Sequence, residues 1–272
     1  MQKPNKRLEN QTCIITGSSS GLGASIAKSI AKEGANVVIN YHSDKEGAEE
    51  VAHEISKQSN APETLIIKCD VSKEDEVKDL FKQTISKFGT VDICIPNSGI
   101  QKDYPLHEMP LSAWQQVIDV NLTGQFLCAK EALNEFLRRG MRPEVSKSIG
   151  KLIHISSVHE IIPWAGHANY AAAKGGLKML MESICQGYAP QKVRCNSIAP
   201  GAIKTDINKD VWDNKEGLEK VLKLIPYDRM GVPDDIGSVA SWLASDESEY
   251  VNGTTLFVDG GMTCYPGFTE NG

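Results

Sequence analysis

The sequence predicts an α/β fold in which one doubly wound, seven-stranded parallel sheet carries helices on both faces. Three observations lead there. From Thr12 onward, short apolar and β-branched runs alternate with longer amphipathic runs, which is the mark of repeated β-α-β units. The first short run ends in a glycine-rich turn, TGSSSGLG, between a strand and a helix. No linker, repeat or low-complexity tract divides the 272 residues, so the chain reads as one domain.

The elements follow in order. TCIIT is the first strand, and the amphipathic GASIAKSIAKEG is its crossover helix. NVVINY predicts the second strand, KEGAEEVAHEISKQ the second helix and TLIIK the third strand. A helix near Lys73 to Phe88 leads to the strand VDICI, and a long helical stretch from about Leu111 to Arg139 leads to KLIHIS. Next come a helix from about Ala168 to Tyr188, the strand VRCNSI, a helix near Pro233 to Ala244 and a final strand in TTLFVDGG. Seven strands with six main crossovers fit one sheet. Between Lys204 and Tyr227 a polar, charged segment interrupts the alternation just after a strand's carboxyl end. Ligands bind at that edge, so the segment is either a lid or a plain surface insertion.

Charge and composition narrow the function. A net charge of −6 with no basic cluster opposes a nucleic-acid partner, which would call for a basic face. No apolar run is long enough to cross a bilayer, and none of signal-peptide length precedes the first strand, so a cytoplasmic protein is expected. The seven cysteines are scattered, with no C-x-x-C pair, and read as small core residues in a reducing compartment. The six histidines form neither H-x-x-x-H nor H-x-x-E-H, so no metal site is expected.

Two motifs carry chemistry. Gly17, Gly21 and Gly23, spaced G-x-x-x-G-x-G, would let the backbone approach a pyrophosphate whose charge meets the free N–H groups of a helix start. Glycine also serves any tight strand-to-helix turn. In YAAAKGG, Tyr170 and Lys174 stand at i and i+4 on an alanine-rich helix, so the phenol and the ammonium can approach one point. Taken alone, the plainer explanation is a surface helix whose tyrosine packs on a neighbour.

TGSSSGLG, the NSG at Asn97 to Gly99, Asn121 in NLTG, the ISS at Ile155 to Ser157, YAAAK and Pro200-Gly201 occur in one order. Together they resemble the short-chain dehydrogenase/reductase family over essentially the whole chain. The resemblance implies a Rossmann-type domain over residues 1–272, with a cofactor half at about 10–150 and a catalytic and substrate half at about 151–272. It implies hydride transfer between a nicotinamide and a carbon bearing a hydroxyl, with Tyr170 as general base. Lys174 would favour the phenolate and bind the nicotinamide ribose. Ser157 would hold the substrate oxygen, and Asn121 a water that relays the proton. The implied cofactor residues are Thr16, Gly17, Ser18, Gly21, Leu22, Gly23, Tyr41, His42, Asp70, Val71, Asn97, Gly99, Tyr170, Lys174, Pro200, Gly201, Ile203 and Thr205.

The second strand ends Asn40-Tyr41-His42 without the acid that would repel the extra phosphate of NADP, so use of both NAD and NADP is expected, with Ser18 offering that phosphate a hydrogen bond. Pro96 stands where the family usually has asparagine, which would loosen that strand end. SSVHEIIPW, HANYAAAKGGLKML, NSIAPGAIKTDIN and TLFVDGGMTCYPGF look most like bacterial glucose 1-dehydrogenases. That implies oxidation of β-D-glucose at C1 to D-glucono-1,5-lactone, with Ser157, His159, Tyr170 and Asn208 on the substrate. His159 reads equally as a capped turn histidine. Another sugar, a polyol or a carbonyl compound such as a 3-oxoacyl thioester would keep the chemistry. A non-catalytic nicotinamide sensor is the remaining alternative, and its usual sign, loss of the tyrosine or lysine, is missing. The family also implies a homotetramer built on the helices beginning near Leu111 and Ala168 and on the C-terminal strand and tail, with Gly187 weakening one of those helices.

Overall fold

The short apolar runs form strands β1 (Thr12–Ile15), β2 (Asn36–Tyr41), β3 (Thr64–Lys68), β4 (Ile93–Ile95), β5 (Gly150–Ile155), β6 (Val193–Pro200) and β7 (Thr255–Val258). In the computed structural model, which describes residues 6–205 and 208–264, they pair in parallel in the order β3-β2-β1-β4-β5-β6-β7. The order reverses between β1 and β4, and that switch point opens a crevice at the strands' carboxyl ends.

Helices cover both faces because each strand is apolar on both sides. Cys13 and Ile15 of β1, Val37 and Ile39 of β2, Ile93 and Ile95 of β4, and Ile153 and Ile155 of β5 face one core. There they meet Ile26 and Ile30 of α1 (Gly21–Lys32), Val51 and Ile55 of α2 (Lys45–Ser56), and Ile236 and Leu243 of α9 (Pro233–Ala244). Ile14, Val38, Cys94, Leu152 and Cys195 point to the other side, as a period of two requires. Their partners are Leu80 and Phe81 of α3 (Glu74–Phe88), Leu133 and Phe136 of α5 (Gly124–Arg139), and Met181 of α6 (Ala168–Tyr188). Cys13, Cys94, Cys128 and Cys195 are buried in these cores, where loss of water pushes their thiols well up.

Three details bear on the sequence reading. The stretch from Leu111 to Arg139 is α4 (Leu111–Ile118), a π-helical turn (Asp119–Thr123) and α5 in one run, with the Gly124 N–H reaching back to the Asp119 carbonyl. Residue propensities do not distinguish a π turn from an α turn. Helix α6 runs through Gly187 to Tyr188, the end expected, and nothing lies within 4 Å of where a Cβ would stand. A cost of ~1 kcal/mol for glycine is small beside the burial of Leu177, Met181 and Ile184 on the same helix. The polar segment after Lys204 is helical over α7 (Lys209–Trp212) and α8 (Lys215–Leu222), while Asp206 and Ile207 lie outside the described residues. Its start is tied down by the Trp212 indole N–H, which donates to the Thr205 carbonyl at 3.0 Å. Among the described residues no helix is long and apolar enough to cross a membrane.

The opposite edge of the sheet holds buried charge. Lys151 of β5 is 1% exposed and donates to the Gln11 side-chain oxygen at 2.6 Å, with an Asp246 oxygen 3.8 Å away. Burial lowers its pKa to about 8, an effect only partly opposed by Asp246. The unfolded chain, with a lysine near the ordinary 10.4, therefore holds the extra proton between the two values. Stability from this group rises as pH climbs through about 8 toward 10.4, by on the order of 3 kcal/mol in all. Lys151→Met should remove that rise: the wild-type-minus-variant difference in unfolding free energy, from urea titrations between pH 7 and 10, should shift in favour of wild type as pH rises. A pH-independent difference would refute the assignment.

Candidate active site

The glycine turn sits at the switch point, held by its neighbours. Thr16 is 1% exposed, and its hydroxyl oxygen accepts the backbone N–H groups of Asn97 at 2.9 Å and Ser98 at 3.0 Å. In return the Asn97 amide donates to the carbonyls of Thr16 at 2.9 Å and Gly17 at 3.0 Å. The ends of β1 and β4 are thus bonded to each other, and the Pro96 carbonyl accepts the Ile155 N–H at 3.1 Å. Pro96 is buried and its strand end is tied on both sides, so the expected loosening does not occur.

Gly21 has φ +54, a left-handed conformation that favours glycine, and its Cβ would come within 3.8 Å of Thr205 Cγ2. The loop after β6 therefore crosses above the turn. Gly23 is needed for a different reason: a Cβ there would run into the Gly17 carbonyl oxygen and stand 2.8 Å from Ser18 Cα. Helix α1 starts without a side-chain cap and without an acid in its first turn, whereas α3 begins Glu74, Asp75, Glu76. Free N–H groups and no competing carboxylate fit a pyrophosphate.

Ser18 is corrected here. It is fully buried, its hydroxyl donates to the Ile15 carbonyl at 2.8 Å and accepts the Asn40 N–H at 3.1 Å, so it has no free hydrogen bond for a phosphate. Tyr41 ends β2 partly buried, followed by exposed His42, whose Nε2 lies 3.9 Å from Asp70 Oδ2. Burial alone would raise the Asp70 pKa, but hydrogen bonds from Ser72 and the charge of His42 hold it below the ordinary value. Val71 is buried against Gly124, and Leu22 is partly buried on α1. Gly99 is exposed after Asn97. Past β6, the Gly201 N–H donates to the Val258 carbonyl at 3.1 Å, and Ile203 bridges to Gly231, which carries Pro200, Gly201, Ile203 and Thr205 along the crevice rim.

Tyr170 and Lys174 lie on α6 as the four-residue spacing predicts. The ammonium stands 5.5 Å from the centroid of the Tyr170 ring and donates to the Ile155 carbonyl at 2.8 Å. Burial lowers its pKa to about 8, with Glu160 acting in the other direction. Burial also raises the Tyr170 pKa, and side-chain hydrogen bonding by Ser157 and Gln101 opposes this without cancelling it. The ammonium faces the ring and a carbonyl, and loss of water is the largest influence on the phenol. Ser157 caps a short 3-10 turn (Val158–Glu160), its oxygen accepting the His159 N–H at 3.2 Å. Its own proton can turn to the Tyr170 oxygen or to a ligand.

His159 is neither a bare turn cap nor free on both nitrogens. Its Nδ1–H donates to the Ile162 carbonyl at 3.0 Å, and burial lowers its pKa, leaving Nε2 as an acceptor in the neutral ring. The ring stacks on Trp164 at 4.2 Å between centroids, Trp164 stacks on His167 at 3.5 Å, and both His159 and Trp164 meet Tyr170 edge-on at 6.2 Å. Asn208 is corrected as a substrate contact. Its carboxamide oxygen accepts the N–H and hydroxyl of Thr205 at 2.9 and 3.2 Å, and its nitrogen donates to the Ile203 carbonyl at 2.8 Å. Asn121, fully buried on the π turn, grips both backbone groups of Ile100, at 2.8 and 2.9 Å.

The sequence reading missed Gln101, which follows the residue Asn121 grips, and Asn169, which ties the Lys102 carbonyl to α6 at 2.9 Å. It also missed Gln125 and His154, buried behind Lys174: Gln125 donates to the same Ile155 carbonyl at 3.2 Å, and its oxygen lies 2.8 Å from His154 Nδ1. Burial and Lys174 push His154 down to about 3, so it stays neutral. Their only signal in sequence is polarity inside an apolar run.

A glycine turn at the switch point with a tyrosine, lysine and serine across the crevice defines an oxidoreductase site. A family model described as enoyl-(acyl carrier protein) reductase matches residues 17–263. The chain belongs to the short-chain dehydrogenase/reductase family. It is 46% identical over 261 residues to 3beta-hydroxysteroid dehydrogenase 1 of Eggerthella lenta, covering 96% of this chain and 97% of that one. It is 44% identical over 266 residues to glucose 1-dehydrogenase 2 of Bacillus subtilis, covering 97% and 99%. Among solved structures, a gluconate 5-dehydrogenase from Burkholderia cenocepacia in complex with NADP and tartrate superposes with a TM-score of 0.85 at 32% identity, over 96% of this chain and 98% of that one.

Gly23→Ala tests the turn. The added methyl must displace the Gly17 carbonyl or the Asn97 amide, which would stand 2.7 Å away. Thermal unfolding should shift down by an amount matching about 1–3 kcal/mol, the usual cost of overpacking, and titration with NADH and with NADPH should show weakened binding of both. Unchanged binding would mean that the turn does not shape a cofactor site.

Proposed function

We propose that this oxidoreductase removes hydride from a hydroxyl-bearing carbon of a small molecule to NAD or NADP, with β-D-glucose oxidised at C1 as its reaction. The observation that carries the reading is the Tyr170 hydroxyl, set beside Ser157 with the Lys174 ammonium over its ring. When bound, the oxidised nicotinamide supplies the hydride acceptor. Gly17, Gly21, Leu22 and Gly23 would hold its pyrophosphate, Tyr41, His42, Asp70 and Val71 its adenosine side, and Lys174, Pro200, Gly201, Ile203 and Thr205 its nicotinamide side.

Ser157 turns its proton to the substrate oxygen and fixes that oxygen toward Tyr170. Tyr170 acts as its phenolate: the substrate hydroxyl gives its proton to that oxygen as the carbon loses hydride, so that a carbonyl forms and the neutral phenol is restored. Loss of water opposes that ionisation and the adjacent ammonium would favour it: with a pKa of about 8, Lys174 is mostly protonated at neutral pH. Asn121 acts here by holding Ile100, and through it the strap bearing Gln101, against the site. The His159 Nε2 and the Gln101 amide are acceptor and amide groups suited to further sugar hydroxyls, and the Trp164 face suits the apolar face of a ring.

Two observations favour a 3β-hydroxysteroid as a second reading: the 46% identity to the Eggerthella lenta enzyme, and the apolar rim with Ile161 51% and Trp164 37% exposed. The presence of both Tyr170 and Lys174 argues against a cofactor sensor without turnover. We also propose a homotetramer in the cytoplasm; a monomer in sedimentation at micromolar protein would refute the assembly.

Initial rates on β-D-glucose, other sugars and polyols, a 3β-hydroxysteroid and a 3-oxoacyl thioester, each with NAD and NADP forms, decide the substrate. Glucose should give the highest kcat/KM, and the two cofactors should differ by less than roughly a thousand-fold, about 4 kcal/mol. A steroid preferred over glucose would replace the first reading with the second. On the best substrate, Tyr170→Phe should keep the fold and cofactor binding and lose turnover by roughly 10²–10⁴ or more, the range for a general base. Lys174→Ala should lose both turnover and cofactor affinity. The double variant should lose much less than the two losses combined, because the residues act as one unit. Turnover within a few-fold of wild type in Tyr170→Phe would overturn the mechanism.

A further inference from the structure

A polar residue interrupts the buried apolar run of β2. Asn40 is 1% exposed, between Ile39 and Tyr41, where a carboxamide without partners would be costly. Every polar group of the residue is instead bonded, and to three different segments. Its side-chain oxygen accepts the Gly17 N–H at 2.9 Å. Its side-chain nitrogen lies 3.2 Å from the Tyr41 carbonyl, 3.3 Å from that of Ile67 and 3.1 Å from that of Cys69. Its backbone exchanges two bonds with Ser18: the Asn40 N–H donates to the Ser18 hydroxyl at 3.1 Å, and the Ser18 N–H donates to the Asn40 carbonyl at 2.9 Å.

We infer that Asn40 is a positioning residue for the dinucleotide, which it aligns without touching. The inference rests on the nicotinamide reading above and goes beyond it. Each segment bonded to Asn40 leads into one proposed contact: Gly17 and Ser18 into the pyrophosphate turn, Tyr41 into His42 and the ribose, Cys69 into Asp70 and the adenine. One side chain sets the spacing among these three. A smaller residue would leave Gly17 N–H and three carbonyls without this partner, and the three segments could then shift relative to one another. A carboxylate at 40 would keep the acceptor for Gly17 but face three carbonyl oxygens and add negative charge beside the phosphate turn.

The test uses ADP-ribose, which carries the adenosine and pyrophosphate half of the cofactor, and NMN, which carries the other half. By calorimetry, Asn40→Ala should raise the Kd for ADP-ribose at least tenfold, and Asn40→Asp should raise it further, while the Kd for NMN stays within twofold. The KM for cofactor should rise in parallel with the first effect, and kcat at saturating cofactor should stay within threefold of wild type. General destabilisation would not produce this split between the two halves. An ADP-ribose Kd within twofold of wild type in a folded Asn40→Ala protein overturns the inference and leaves the nicotinamide reading intact. If Asn40→Ala does not fold, Asn40→Ser is judged by the same two limits. Wild-type protein that binds neither ADP-ribose nor a nicotinamide dinucleotide overturns the nicotinamide reading, and this inference with it.

Discussion

The Thr16 hydroxyl, accepting two backbone N–H groups from the far side of the switch point, is the bond on which the rest of the site depends. At a switch point the chain leaves in opposite directions from neighbouring strands, so the carboxyl ends of β1 and β4 carry backbone groups that no further strand pairing can satisfy. Water could satisfy them, but a wet crevice floor would not hold a turn in one shape. Thr16 and Asn97 satisfy them with each other, which fixes the entry to α1 and leaves the free N–H groups at that helix start aimed into the crevice.

On the other wall, charge is kept in a dry place. Lys174 is 3% exposed and, among the described residues, has one hydrogen-bond acceptor, the carbonyl of Ile155, which it shares with Gln125. Gln125 is in turn oriented by a histidine that burial keeps neutral. Burial lowers the lysine pKa only to about 8, so the amine keeps most of its proton at neutral pH.

A third set of contacts fixes a strap beside Tyr170. The strap from Ile100 to Tyr104 is held at Ile100 by Asn121, at Lys102 by Asn169, and at Tyr104 by the Gly166 carbonyl at 3.0 Å. The stacked series His159, Trp164 and His167 meets it where His167 Nε2 lies 3.1 Å from an Asp103 oxygen. In the function proposed above, this strap and turn would wall the substrate side. Members of one family can share the chemistry and differ in this wall, which is consistent with relatives named for a steroid and for glucose at nearly the same identity.

Strand and helix order, both core faces and the phenol-ammonium pair were legible in the chain alone, because each rests on a period of two, of 3.6 or of four residues that local geometry converts directly into a face. Tyr170 and Lys174 share a helix, and Gly17 to Gly23 share a turn, so their relation needs no tertiary information. What only the tertiary structure decided is how polar side chains are used. Ser18 and Asn208 look free in the sequence and are bonded within the fold, while Asn40, Gln125 and His154 look like flaws in apolar runs and hold the site from behind. The same holds for the Tyr170 proton: the spacing to Lys174 announces a pair, but the depth of burial around both sets which way each pKa moves. A hydrogen bond across eighty residues, or the water lost by a side chain, depends on elements brought together by packing, and no local pattern records it.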